Sequence, residues 1–419
     1  MAFISFGTVF PFDITNNLTK MKKVAIIGTA GVPARYGGFE TLAENLVINW
    51  KDQFETTVYA SKKYYSKKDR VAQWNGARIK YLPIGANGLA SILYDIVSII
   101  QALFYADYLL ILGVSGGIIL PLVRKLTTKK IIVNIDGLEW RRQKWSRRAR
   151  VFLKISEKLA VKYSHADITD NASIQRYTAI YYQTLSYLVE YGGDHCRKEN
   201  AGEDDKKKYS FLNTPYYINV SRVEPENNTH LILEAFSQVP QKKLVMVGNW
   251  ERSDYGRQLK HRFASYPNIT IMDPVYDRRE VDMLRSYAQA YIHGHSAGGT
   301  NPSLVEAMFL GLPVISFDVS YNRATTENKA KYFRSADQLV KLLQKYHHYD
   351  LLRDGEIMKK IADRRYLWTL IAGKYARLVN SFQYDYRKRS VHSELKSVEG
   401  AILYKYQASH LSNTRFFFE

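Results

Sequence analysis

The chain has 419 residues, 46% of them hydrophobic, a net charge of +20 and a single cysteine, Cys196. That length suits two domains of ordinary size rather than one core, the composition excludes a disordered chain, and the lone cysteine excludes an internal disulfide, in keeping with a reducing compartment. So basic a surface attracts polyanions: nucleic acid, anionic lipid headgroups or phosphate-bearing substrates.

Residues 1–20 carry no basic residue ahead of their apolar part and contain Pro11 and Asp13, a poor pattern for a signal peptide. They read as a loose arm, or as sequence upstream of the start, since Met21 directly precedes a strand-like run. KKVAIIG at 22–28 opens a series of short apolar strands: TTVYA at 56–60, IKYLPI at 79–84, YLLIL at 108–112 and KIIVNID at 130–136. They alternate with helical stretches near 38–49, 89–105 and 116–126, the pattern of a parallel sheet covered on both faces. The most apolar region, about 89–123, is broken by Asp95, Gln101, Asp107 and the Gly113–Gly117 cluster, so it lacks the roughly 20 unbroken apolar residues of a membrane span. A basic helix follows at about 144–163, then a strand at 166–171. The polar stretch 192–210 has no periodicity and reads as a linker. The pattern then restarts with YYINVSR at 216–222, KLVMVG at 243–248, ITIMD at 269–273 and AYIHG at 290–294, each followed by a helix, and PVISFD at 313–318. The expected organisation is α/β: an arm (1–20), a first Rossmann-like domain (21–195), a linker (196–213), a second Rossmann-like domain (214–365), a helix crossing back (366–387) and a tail (388–419).

Four stretches carry candidate chemistry. In HGHSAGGTNPSLVEAM (293–308), Asn301 suits an N-cap and Pro302 the first helical position. The helix would present unpaired N–H groups and a positive dipole end at Thr300–Leu304, with Ser303 in its first turn. Gly298 and Gly299 leave room for a phosphate to approach. Glu306, one turn deeper among apolar neighbours, suits hydrogen bonds from ribose hydroxyls; the bland alternative is a capped helix with a solvated acid. In YYINVSRVEPENN, Arg222 at a strand's carboxyl end can grip a diphosphate, or can be a solvated loop arginine. GTAGVPARYGGFET (28–41) is not a dinucleotide fingerprint, yet Gly37 and Gly38 permit close backbone approach, and Glu40 either meets ligand or merely complements the helix dipole. In NIDGLEWRRQKW (134–145), Asp136 ends a strand, where active-site groups collect in parallel sheets, with Glu139 and Trp140 in the loop behind it; the bland alternative is an aspartate capping a turn.

Taken together, SRVEPENN and EAMFLGLPVI resemble the retaining family 4 glycosyltransferases of GT-B fold, two Rossmann-like domains facing across a cleft. TAGVPARYGGFET, NIDGLEWRR, VEYGGDH and GGTNPSLVEAM resemble their bacterial rhamnosyltransferase-type branch. The resemblance spans about residues 21–375. It implies a nucleotide-sugar donor held mainly by the second domain, with Arg222 on the diphosphate and Glu306 on the ribose. It implies an acceptor at the first domain, near Glu40, Glu139 and Trp140. Three positions depart from the family pattern. Its sugar-contacting glutamate is here Gly298, its second diphosphate-binding cation is Asn227, and its strand-end histidine is Asp136. Arg323 is the expected replacement for the missing cation, and Asp136 the expected positioning or proton-accepting group. Best matched is transfer of L-rhamnose from dTDP-rhamnose to a polyprenyl-diphosphate-linked or growing saccharide in surface polysaccharide assembly. No cofactor is expected, and no metal, since no His/Cys cluster or paired-aspartate motif stands at metal spacing.

From Arg141 to Lys154 there are seven Lys/Arg and no acid. Arg141, Arg142, Lys144, Arg147 and Arg148, with Trp145, are expected to face an anionic membrane surface. The predicted location is cytoplasmic, peripheral on the inner face of the plasma membrane. Two competing readings are a nucleotide-sugar 2-epimerase of the same architecture and a nucleic-acid binder. The second is suggested by charge alone and lacks any RNA- or DNA-binding signature, so no specific nucleic acid is expected.

Overall fold

The computed structural model describes residues 21–35, 37–142, 145–382 and 400–411. The expected arm and most of the expected tail lie outside them. The first sheet is built from β1 (Lys22–Ile27), β2 (Phe54–Ser61), β3 (Gln73–Trp74), β4 (Ala77–Leu82), β5 (Tyr108–Leu112), β6 (Lys130–Asn134), β7 (Ala166–Thr169) and β8 (Tyr187–Leu188). Their order is β3-β4-β2-β1-β5-β6-β7-β8, parallel throughout except for the β3–β4 pair. The interleaved helices are α1 (Gly38–Trp50), α2 (Ala90–Ala102), α3 (Leu120–Leu126), α4 (Arg147–Tyr163) and α5 (Ala172–Tyr182). The central strands β1, β5 and β6 are buried on both faces, which is why they read as unbroken apolar runs. Val24 and Ile26 of β1 point into one core with α1, and Ala25 and Ile27 into another with α2, α3 and α4.

The second sheet comprises β9 (Tyr217–Val220), β10 (Leu244–Val247), β11 (Ile269–Met272), β12 (Ala290–His293), β13 (Val314–Phe317) and β14 (Lys331–Phe333), ordered β11-β10-β9-β12-β13-β14 and wholly parallel. Around it lie α6 (Glu203–Lys208), α7 (Thr229–Ser237), α8 (Asp254–Phe263), α9 (Arg278–Ser286), α10 (Pro302–Phe309), α11 (Ser320–Thr325), α12 (Ala336–Lys345) and α13 (His348–Arg365). The polar stretch read as a linker is bound along α9: the N–H groups of Arg197, Glu199 and Ala201 donate to Asp282, Ser286 and Tyr287. Periodicity was missing there because backbone-to-side-chain bonds, not a buried stripe, hold the segment.

After α13 the chain crosses back, and α14 (Trp368–Ser381) packs on α1, burying Ile371, Leu378 and Val379 in the first domain's core. The Trp50 indole N–H donates to the Ala372 carbonyl at 3.1 Å. Truncating a buried residue of this size typically costs about 2–5 kcal/mol, so α14 is a firm tie between the halves. A last helix, α15 (Gly400–Lys405), closes a small core with Leu185 and Tyr406.

Each sheet reverses strand order once near its centre, at β1/β5 in the first and β9/β12 in the second. Ligands of open parallel sheets bind outside the strand carboxyl ends at such points. Here the two points face each other.

Candidate active site

A cleft of about 630 Å³ separates the domains. From the second domain it is walled by Arg222, the 297–301 loop, Ser303 and Glu306; from the first, by Gly37, Gly38, Glu40, Asp136, Glu139, Arg142, Trp145 and Asp170. The sequence-predicted donor loop and strand-end aspartate thus meet at one place.

Asn301 caps α10 as expected. Its Oδ1 accepts from the Ser303 N–H at 3.0 Å and from the Ser303 hydroxyl at 2.8 Å. The expectation of free N–H groups across Thr300–Leu304 is corrected. The Ser303 N–H is spent on that cap and the Leu304 N–H donates to the Asn301 carbonyl at 3.1 Å. The Thr300 N–H donates across the domains to Asp170 Oδ2 at 3.0 Å. Leu304 itself is fully buried in the second domain's core and contacts no ligand space. A loop-helix junction needs acceptors for its orphan donors, and the buried Asp170 carboxyl supplies one.

Gly298 has φ +128 and open space where a Cβ would stand, so the bare spot expected at the departed glutamate is real and its backbone demands glycine. Gly137 fits the opposite case. A Cβ there would meet the Gly299 nitrogen at 2.3 Å, because the two domains touch backbone to backbone. Gly38 likewise faces the Pro302 ring. Asn171 adds side-chain bonds to Thr300 and Thr325 of the second domain, at 3.3 and 3.2 Å.

Arg222 lines the cleft, with Glu224 3.8 Å away. Asn227, where the family pattern has a cation, is buried and donates its amide to the Arg222 carbonyl at 2.6 Å, bracing that loop. Arg323 does not fill the gap. It pairs with Asp318 at 2.5 Å, stacks on Tyr332 at 4.1 Å and lies outside the cleft. Arg142, expected at a membrane, is instead recessed in the cleft beside Asp136, Glu139, Glu224 and Glu226. Its Nε lies 2.8 Å from Glu139 Oε2, an ion pair without an aligned hydrogen bond. Trp145 is also corrected to the cleft, its indole N–H donating to Glu139 Oε1 at 3.0 Å.

Trp140 turns away from the cleft into the layer beneath α4, with Arg141 and Lys154 over its ring at 5.2 and 4.9 Å. It is not placed to meet an acceptor. Arg141 is exposed as expected, at the rim of a hollow it shares with Pro225 and Tyr321. Arg147 and Arg148 are exposed on α4 as expected, and Lys144 lies outside the described residues. Glu40 reaches the cleft wall, but its Oε1 accepts from the Ala30 N–H at 2.7 Å and the Thr29 hydroxyl at 3.3 Å, holding the glycine-rich loop against α1.

Glu306 sits in a network that sequence reasoning missed. Arg285 Nη2 lies 2.6 Å from its Oε2, and His195 Nε2 3.2 Å from its Oε1. Burial alone would raise this carboxyl; Arg285 and His195 outweigh it and hold it down to about 2. The Trp368 indole N–H donates to His195 Nδ1 at 2.9 Å, so a neutral His195 carries its proton on Nε2 and donates to Glu306. Among the described residues, ligand atoms of His195, Cys196 and Glu306 lie within 4.8 Å of one another, but Arg285 already supplies the balancing cation there. The double glycine before His195 was the available signal. A Cβ on Gly192 would strike the Trp368 ring and one on Gly193 would crowd Val305, so the pair marks the crossing between domains.

Asp136, Asp170 and His295 also line the cleft, with His293 buried behind His295. Burial raises Asp136, and raises Asp170 to about 8 with Asp136's charge adding to it. His293 and His295 stack with ring centroids 4.5 Å apart, and burial holds both neutral; His295 borders the cleft.

Residues 201–362 match the family model described as glycosyl transferases group 1, and residues 21–194 a domain of unknown function, DUF1972. No curated protein matches the chain. Among solved structures it is similar to sucrose-phosphate synthase from Thermosynechococcus elongatus (15% identity, 86% of this chain and 98% of that one, TM-score 0.72). It is also similar to Anabaena HepE in complex with UDP-glucose (13%, 87% and 100%, TM-score 0.66). A third is a putative UDP-N-acetylglucosamine 2-epimerase from Listeria monocytogenes (15%, 89% and 100%, TM-score 0.58). The chain therefore has the GT-B fold, and its second half carries a glycosyltransferase group 1 domain.

Proposed function

We propose that this protein is a retaining, metal-independent glycosyltransferase that moves a hexose, best read as L-rhamnose from dTDP-rhamnose, onto a saccharide carried by a polyprenyl diphosphate. The work would be done at the inner face of a bacterial plasma membrane, in surface polysaccharide synthesis. The observation that carries this reading is the convergence of Arg222 and the 298–301 loop with Asp136 and Arg142 across one cleft.

In the reaction, the bond from the sugar's anomeric carbon to the diphosphate breaks and a bond to the acceptor oxygen forms on the same face. Negative charge grows on the departing diphosphate, and prepositioned donors lower that barrier. Arg222 supplies one cation and Arg142 the second, in place of Arg323. The diphosphate takes the Thr300 N–H from Asp170. The acceptor hydroxyl's proton passes to Asp136, whose raised affinity suits an acceptor of protons, or to the diphosphate itself. Glu306, held ionised, keeps lone pairs for ribose hydroxyls.

A thermal-shift screen against dTDP-, UDP- and GDP-sugars tests the donor class, with dTDP-rhamnose expected to raise Tm most; a larger rise with a UDP- or GDP-sugar reassigns the hexose. An epimerase is the second reading, favoured by the likeness to the Listeria structure. It requires acid/base groups around the sugar, and the space at Gly298 is bare. Donor incubated without acceptor separates the two: a 2-epimer product would establish the epimerase.

A further inference from the structure

We infer that the outward face of α2, α3 and α4 is a membrane-docking surface that inserts apolar side chains between anionic lipid headgroups and so presents the cleft mouth to the bilayer. Its orientation rests on the reading that the acceptor is lipid-borne.

These helices lie side by side on one face of the first sheet. Leu89, Leu93, Ile100 and Phe104 form an i, i+4, i+11, i+15 stripe along α2 and its ends, with Phe104 86% and Leu89 67% exposed. Ile118, Leu122 and Leu126 continue it along α3, Leu126 being 74% exposed, and Val151 and Ile155 along α4. Scattered exposed hydrophobes are ordinary, but a contiguous set on three adjacent helices is not.

The charge pattern names the partner. The acids of these three helices, Asp95 and Glu157, are both buried, whereas Arg124, Lys125, Arg147, Arg148, Lys154, Lys158 and Lys162 are exposed. The exposed face of α2 carries no charge. An aqueous surface helix normally bears charges outward; an apolar strip on helices that expose cations but no acid suits an anionic interface. No described helix is long and apolar enough to cross a membrane, so the surface would lie on the bilayer.

Continuity with the cleft gives the orientation. Gly88 and Ser91 line the cleft while neighbouring Leu89 and Leu93 point outward; Ser115 lines it just before exposed Ile118; Trp145 lines it just before α4. Thus the loops that edge the cleft lead directly into the helices that carry the apolar face. A saccharide rising from a bilayer would enter at that edge. Arg142 and Trp145, first expected on the membrane, stand where it would arrive.

The test is flotation of the full-length protein with phosphatidylglycerol/phosphatidylcholine vesicles and with phosphatidylcholine alone. Wild type is expected to float with the anionic vesicles at low salt and to stay partly bound at high salt. Leu93→Asp/Phe104→Asp should lower the bound-to-free ratio by roughly tenfold or more, given the apolar area withdrawn, and abolish the salt-resistant part. Arg147→Glu/Arg148→Glu should remove the low-salt binding. Both variants should keep the wild-type thermal shift with nucleotide-sugar. Unchanged flotation of Leu93→Asp/Phe104→Asp, or no flotation of wild type, would overturn the proposal. So would light scattering that shows a dimer dissolved by the same substitutions without any vesicle effect. Vesicle binding without any nucleotide-sugar shift would instead sink the enzymatic reading and leave the surface standing.

Discussion

The Asp170 carboxylate accepts the Thr300 N–H at 3.0 Å, so an acid of the first domain occupies the place in the second where a phosphate oxygen is expected to sit. The contact is reinforced by the Thr300 hydroxyl, which donates to the Asp170 carbonyl at 2.6 Å. On the proposed function, domain closure and donor binding compete for one backbone donor.

That competition should depend on pH. Asp170 is raised from 3.8 in the unfolded chain to about 8 in the fold, so between those values the folded protein holds a proton that the unfolded chain has released. Its stability contribution is therefore full below about pH 4 and is lost as pH rises toward 8. Asp95, also raised to about 8, adds the same slope, so Asp170→Asn should flatten the Tm-against-pH curve only in part. Above pH 8, donor affinity of wild type should fall severalfold as an ionised carboxylate faces the diphosphate, while that of Asp170→Asn should stay level. Titration calorimetry at several pH values measures this.

Arg142 lies in the cleft and Arg323 outside it, so the proposed second cation is Arg142. Arg142→Ala should lower kcat/KM by about 10²-fold or more, the usual loss when a prepositioned charge-stabilising donor is removed. Arg323→Ala should change it less than about twofold, since Arg323 holds Asp318 and Tyr332 outside the cleft. Equal losses in the two variants would return the second cation to Arg323.

The Arg285–Glu306 pair is buried, with the Arg285 side chain 3% exposed. Glu306→Gln leaves that guanidinium only Asp282, 3.7 Å away, as a charged partner, and breaking a buried pair on one side costs up to about 3–5 kcal/mol. Urea denaturation should show this loss, and nucleotide binding should weaken with it. Arg285→Met/Glu306→Leu should recover most of the stability but none of the ribose binding.

Gly137→Ala places a methyl against the Gly299 nitrogen. The domains then cannot reach the observed closeness. Small-angle scattering should report a larger radius of gyration, and turnover should fall at least tenfold while the second domain still binds nucleotide.

Ten carboxyl side chains line the cleft against four arginines, Arg142, Arg222, Arg278 and Arg285. Several are committed already: Glu306 to Arg285, Glu139 to Arg142, and Glu190 to Arg365 and Lys374. Turnover should accordingly survive EDTA. Loss of activity restored by magnesium would mean that the remaining acids hold a cation with the diphosphate.

The sheets, the capped entry to α10 and the glycine-rich loops were legible from the sequence because each is a local matter. Buried parallel strands are apolar runs, Asn-Pro caps a helix, and glycine marks positive φ at Gly37 and Gly298. Strand ends also told where Asp136 and Arg222 would gather, since parallel sheets bind at their carboxyl edge. Side-chain direction beyond a turn was not legible. Arg142 and Trp145 share a basic stretch with Arg147 and Arg148, yet the first two lie in the cleft and the others face solvent. Nor could spacing bring Asp170 to Thr300, or His195 and Arg285 to Glu306, because those partners are 130, 111 and 21 residues apart. Local chemistry fixed what each loop could bind; the packing of two domains decided which charges meet there, because electrostatic partnership is a property of distance in space and not along the chain.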